Sequence, residues 1–314
     1  MRSNADPLQV RMLHGNLNHC PASIARFWSA VASRLTFAKI TTHTNSTMIF
    51  ISSRHHLKDS DAFGDKENYY DVSFSSGGVA TLKSKTATAT KNALKDKRIL
   101  LLVHGYNNDF DDVCRAYNII ERHLSSIETD YDEIVGYTWP GGDQAYEYHP
   151  ARRRSSVAAG RLVDLNNSIS PKSLDIMTHS MGSRVVLRAL QDIPSTTVIR
   201  NHFATASAVD DESIERGEKF YESTQRCENT WVFHSKHDGV LKVWYRIGDL
   251  DAALGLHGTD DKQAIERHSK NVKVINCRYH VKSHGDYKKT GQFYKFIEGV
   301  LNRTHPVSRQ FFTL

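Results

Sequence analysis

Residues 175–185 read DIMTHSMGSRV, an apolar run that climbs to a histidine and a serine and then passes a methionine and a glycine into a helix-like segment. The pattern is close to G-x-S-x-G, the strand-to-helix turn that lifts a nucleophilic serine above a parallel sheet, with Thr178 where the first glycine usually stands. A serine hydroxyl is a poor nucleophile at neutral pH. To act, Ser180 needs a base, a group that orients the base, and donors for the oxyanion formed on attack. The bland reading of Ser180 is a helix N-cap. The preceding apolar run and the neighbours His179, Met181 and Gly182 favour the nucleophile.

The other parts must come from loops on the same side of a sheet. The Met181 amide, just past the serine, is one candidate oxyanion donor. The second is the Tyr106 amide in VHGYNND (103–109), where Gly105 lets backbone approach a ligand closely. His104 reads as a structural histidine at a strand end. Acid and base should follow the serine in that order, and Asp238 in VFHSKHDGVLK and His284 in VKSHGDYKK do so, each just beyond an apolar run. Asp210 is the competing acid, and His237 and His280 are competing bases in a chain of 17 histidines. Gly285 is expected to let the histidine loop turn tightly. Trp139 and Pro140, opening a W-P-G-G stretch, are read as a wall of the substrate pocket and as a rigid turn over a buried tryptophan, two readings that can both hold. Tyr146, Tyr148 and His149 would line an entrance.

These positions need elements to hold them. RILLLVHG (98–105) is a continuous apolar run suited to a strand buried on both faces. In the stretch after it Phe110, Val113, Tyr117, Ile120 and Leu124 recur at helical spacing, with Asn108 or Asp109 as cap. EIVGYTW, SLDIMTH, VIRNHFATASAV, TWVFHS and VKVINC supply further strands, and MIFIS (48–52) and GVATLKS (78–84) read as an edge strand and a second strand. Ala158, Leu162, Leu165 and Ile169 mark a helix face, a charged helical stretch starts at Asp211, and a last helix spans 291–301. ALGLHGTDDKQAIERHSK reads as an insertion or lid-like excursion. Strands alternating with helices mean a mostly parallel central sheet with helices on both faces, and ligands bind beyond the carboxyl ends of such strands.

On these residues the chain resembles the alpha/beta-hydrolase superfamily. LLVHGYNNDFDD, YTWPGG and THSMGSRVV, in this order, resemble a branch of largely uncharacterised, mostly bacterial hydrolases catalogued as a domain of unknown function, over residues 48–301. The resemblance implies an alpha/beta-hydrolase fold, Ser180 as nucleophile, Asp238 and His284 as its partners, and the HGY loop completing the oxyanion hole. The expected activity is cleavage of a carboxylic ester, of a small molecule or a lipid, through an acyl-enzyme. An acyltransferase or thioesterase would use the same residues, and a non-catalytic binding protein would keep only the fold.

Composition restricts the remaining classes. The 314 residues are 39% hydrophobic, enough for one large α/β core, and no apolar run approaches the roughly 20 residues a membrane helix needs. Lys+Arg 41 against Asp+Glu 35 is a modest excess spread along the chain, so no nucleic-acid partner is expected, and Arg152, Arg153 and Arg154 read as a solvated helix face. The four cysteines form no C-x-x-C pair and have no ligand-spaced histidines, so neither metal nor cofactor is called for. Cys114 reads as a small core residue of a cytoplasmic protein. Residues 1–47 differ from the rest, with no acid between Asp6 and Asp59. They read as an extension outside the 48–314 domain: a presequence offering peripheral membrane contact, a disordered tail, or the product of a start placed upstream of Met48. Oligomeric state is not readable.

Overall fold

The computed structural model describes residues 47–75, 79–245, 251–306 and 308–314. The basic stretch 1–46 and Gly78 lie outside them, and with them the expectations placed on that extension. Along the described chain run β1 (Thr47–Arg54), β2 (Phe63–Phe74), β3 (Ala80–Lys85), α1 (Ala87–Leu94), β4 (Arg98–Val103), α2 (Phe110–Leu124), β5 (Glu133–Thr138), α3 (Tyr148–Ile169), β6 (Ser173–His179), α4 (Gly182–Asp192), β7 (Ile199–Thr205), α5 (Tyr221–Gln225), β8 (Cys227–His234), α6 (Leu254–His257), α7 (Lys262–His268), β9 (Val272–Asn276), α8 (Gly291–Leu301) and β10 (Phe311–Thr313).

The strands form one sheet in the order β10-β9-β8-β7-β6-β4-β5-β1-β2-β3. All pairings from β10 to β1 are parallel, and β2 and β3 close the other end as antiparallel strands. This is the alpha/beta-hydrolase fold, a mostly parallel sheet covered by helices. The continuous apolar run of β4 has its reason here: it pairs with β5 on one side and β6 on the other, and Ile99 to Val103 are all buried. The chain leaves β4 towards β5 and then crosses back to β6, so the strand order reverses at β4. That switch point is where a crevice opens beyond the strand ends.

Three readings of the sequence change. MIFIS is not an edge: β1 lies between β5 and β2 and is buried from Met48 onward. The strand that covers it, β2, carries FGDKENYYDVSF, a mostly polar run without clean alternation. The charged stretch from Asp211 forms turns, with helix only at Tyr221–Gln225. The expected lid-like excursion is packed crossover: Leu254, Leu256 and Ile265 are buried, and a Cβ on Gly255 would meet Ala206 backbone at 2.2 Å.

The helices meet the sheet through the faces their spacing predicts. In α2 the buried set includes Phe110, Val113, Cys114, Tyr117 and Leu124, and Asp109 caps the first turn by accepting from the Asp112 amide. The Tyr117 hydroxyl donates to the carbonyls of Leu102 and Tyr137, tying α2 to the ends of β4 and β5. Of the three arginines opening α3, Arg153 is exposed and Arg154 pairs with Glu147 at 3.3 Å.

Candidate active site

Ser180 sits in the two-residue step between β6 and α4 with φ +55°, a left-handed conformation that costs a non-glycine residue about 1–3 kcal/mol and persists only where its surroundings enforce it. They do so through backbone: its amide donates to Thr205 O at 3.0 Å, and its carbonyl accepts from the amides of Ser183 at 3.0 Å and Ala208 at 3.2 Å. Gly182 permits the tight departure into α4, since a Cβ there would stand 2.5 Å from Val103 O. Among the described residues the Met181 amide donates to no carbonyl or side chain, as expected at an open helix N-terminus.

The loop after β4 closes on this turn. A Cβ on Gly105 would lie 2.8 Å from Ser180 Cβ and 3.3 Å from Ser180 Oγ, so only glycine fits, and Tyr106 follows it directly. The W-P-G-G stretch holds that loop from behind. Asn107 and Asn108 donate to the carbonyls of Gly141 and Gly142, and Gly141 packs on Gly105 O. Trp139 and Pro140 are both buried, and the Trp139 indole donates to His104 O at 2.9 Å while its ring stacks on that histidine. The rigid turn over a buried tryptophan is present, with the indole engaged in supporting the loop. His104 itself is structural. Trp139 N donates to its Nε2, so Nδ1 carries the proton given to Gly105 O at 2.7 Å, and burial, with Arg54 nearby, pushes its pKa down to about 3. Of the expected entrance residues, Tyr148 is buried edge-on to Tyr106, while Tyr146 and His149 are exposed.

Beyond β8 and β9 the structure brings Asp238 and His284 together. His284 Nδ1 lies 2.7 Å from Asp238 Oδ2, with the carboxylate fully buried and the imidazole 16% exposed. A carboxylate only accepts, so Nδ1 carries the proton and Nε2 of a neutral ring is left as a base. The second carboxylate oxygen accepts from the Leu241 amide. Asp210, the competing acid, is instead occupied by the Tyr245 hydroxyl, and His237 and His280 are exposed. The two loops are locked to each other where the Ser235 hydroxyl donates to Val281 O at 2.7 Å. Gly285 does not tighten the histidine loop: a Cβ there would meet nothing. The turn is held by Asp286, whose carboxylate accepts from the amides of Lys282 and Ser283.

His179 joins the two halves. Its Nε2 donates to His284 O at 2.8 Å and its ring packs on the His284 ring with centroids 4.5 Å apart. Burial, then the neighbouring His284 ring, holds its pKa well below the ordinary value, so it stays neutral. This contact was not legible in the sequence beyond His179's place beside Ser180. The hydrogen bonds among the described residues do not include one from Ser180 Oγ to His284. Such bonds are often long before substrate binds.

Two cavities lie near. One of about 60 Å³ is lined by Leu102, Ile120, Met177, His179, Lys288 and Phe293, among others. A larger one of about 460 Å³ lies between Lys236, Leu241, Lys242 and the 251–257 segment. Ser180 lines neither. Among the described residues, two groups of side chains could hold a cation, His55 with His56 and Asp59, and Asp211 with Glu212 and Asp251, and neither includes a residue of the Ser180 turn or the Asp238–His284 pair. No described helix is long and apolar enough to cross a membrane.

The sequence profile of a family described as "Alpha/beta hydrolase of unknown function (DUF900)" matches residues 82–285. No curated protein sequence matches the chain. Among solved structures, it is similar to a mutant form of the esterase rPPE, with 13% identity over 92% of this chain and 77% of that one and a TM-score of 0.34. Carboxyl esterase 2 from the mycorrhizal fungus Tuber melanosporum is similar at 11% identity over 92% and 86%, with a TM-score of 0.34. A bacterial heroin esterase is similar at 12% identity over 92% and 80%, with a TM-score of 0.25.

Proposed function

Because the chain belongs to this alpha/beta-hydrolase family, we propose that it is a serine hydrolase that cleaves a carboxylic ester through an acyl-enzyme at Ser180. The observation that carries the reading is the left-handed backbone of Ser180 at φ +55°, a strained turn in a position where strain serves to present a side chain.

In this reaction His284 Nε2 takes the Ser180 proton as Oγ attacks the ester carbonyl. Asp238 keeps the proton on Nδ1 and steadies the imidazolium that forms. Charge developing on the carbonyl oxygen meets the amides of Met181 and Tyr106, and losing one such donor typically costs about 3–4 kcal/mol in the barrier. Collapse of the tetrahedral intermediate expels the alcohol, which receives its proton from His284. Water then attacks the acyl-enzyme by the same route in reverse. His179, through the His284 carbonyl, positions the base without touching substrate.

Intact-mass analysis after treatment with a fluorophosphonate tests the proposal. The wild type should gain one adduct, Ser180→Ala none, and His284→Ala one only at a rate reduced by about 10³-fold or more. A folded wild type that gains no adduct overturns it. Nitrophenyl esters of graded acyl length then define the substrate class.

A further inference from the structure

Thr178 stands where the turn around a nucleophilic serine usually has glycine, and its surroundings give the substitution a purpose. Its Oγ1 lies 2.9 Å from Ser183 Oγ and 3.0 Å from His202 Nε2, and Ser183 Oγ lies 2.9 Å from Ser207 Oγ. All four side chains are buried, and Thr205 Oγ1 donates to the Thr178 carbonyl at 2.7 Å. The line runs from β7 through β6 to the first turn of α4 and out to the loop after β7, so Thr178 and Ser183 stand on either side of Ser180 in the chain.

The protons along it can be ordered. His202 Nδ1 is buried with no partner. An orphaned acceptor is tolerated better than an orphaned N–H, so the proton resides on Nε2. His202 then donates to Thr178, Thr178 to Ser183, and Ser183 to Ser207. Burial drives the His202 pKa down to about 3, so the line keeps this direction throughout the neutral range. The residue after Ser207 completes the grip, for the Ala208 amide holds the Ser180 carbonyl.

We propose that Thr178 is a positioning residue whose hydroxyl, in line with His202, Ser183 and Ser207, holds Ser180 in its left-handed turn. The departure from glycine is thus part of how this chain sets its serine. The conformational claim stands on the hydrogen bonds alone, and its consequence for rate rests on the serine-hydrolase reading. Restoring glycine should impair the site.

The test pairs two measurements on the full chain, amide hydrogen exchange at residues 180–183 and the fluorophosphonate labelling rate, for Thr178→Val, Thr178→Gly and Thr178→Ser. Breaking a buried hydrogen bond should speed exchange at the turn and slow labelling by about tenfold in the Val and Gly variants. Exchange in β2, remote from the turn, should not change, and Ser, which keeps the hydroxyl, should restore both readouts. Thr178→Val exchanging and labelling as wild type overturns the proposal, as does faster labelling in Thr178→Gly. If Thr178→Val does not fold, Ser207→Ala breaks the line at its far end and is read the same way. A wild type that does not label defeats the hydrolase reading, while the exchange measurement still decides the role of Thr178.

Discussion

At Gly105 the approach of two backbones leaves no room for a side chain, and the atom an alanine would clash with belongs to Ser180 itself, 2.8 Å away. Gly105→Ala should therefore fold with a displaced loop and lose at least about 10²-fold in labelling rate, the effect of misplacing a reacting group by about 1 Å. Normal labelling in a variant of unchanged Tm would show that the loop can shift without consequence. Asp238 makes a sharper case, because its carboxylate is wholly buried and both of its oxygens are engaged. Asp238→Asn keeps the shape but favours the wrong histidine tautomer, and turnover should fall by about 10³- to 10⁴-fold while the protein stays folded. Asp210→Asn, which touches Tyr245 rather than His284, should not produce that loss.

The elements carry their own constraints. Strand β5 contains Gly136 because the ring of Tyr117 from α2 lies against it, and a Cβ there would stand 2.6 Å from a ring carbon. Gly136→Ala should cost about 1–3 kcal/mol through overpacking. Differential scanning calorimetry would register this as a drop in Tm of several degrees. The start of α2 depends on Asp109, which satisfies the Asp112 amide at 2.6 Å. Its replacement by alanine should cost about 1 kcal/mol, the usual worth of a helix cap, and an unchanged denaturation midpoint would contradict that assignment.

For the molecule as a whole, four histidines with lowered pKa, His104, His179, His202 and His234, govern the response to acid. Burial lowers the pKa of His104 and His202 to about 3 and that of His234 to about 4. In the unfolded chain each titrates near 6.5, so between about pH 6.5 and 3 the unfolded state binds more protons and stability falls as pH falls. The stability is complete above about pH 6.5. His104, His202 and His234 alone would bring the slope to roughly 4 kcal/mol per pH unit, and His179 acts in the same sense. Asp211 acts in the opposite sense: burial, reinforced by Glu212, raises its pKa to about 7, so it costs stability as pH rises from about 4 through 7. Denaturation midpoints from pH 4 to 8 should thus rise steeply up to about 6.5 and flatten above it. Asp211→Asn should raise the midpoint at pH 8 more than at pH 5, and an equal effect at both would refute the shift.

What the sequence determined by itself is local. The apolar run of β4, the three-and-four spacing of α2 and the turn around Ser180 are written in neighbouring residues, because burial on two faces, on one stripe or at a tight step each imposes its own period. What only the tertiary structure decided depends on residues distant in the chain. His284 is distinguished among 17 histidines by a carboxylate 46 positions away, and Asp210 is withdrawn by a tyrosine 35 positions away. β1 is interior because a polar strand without alternation covers it, and Trp139 belongs to the core because His104 turns to receive its indole. Thr178 departs from a local pattern, and its hydroxyl is satisfied by Ser183 and His202. A hydrogen-bond partner across the sheet leaves no trace in the spacing of the residues beside it, so these contacts had to wait for the fold.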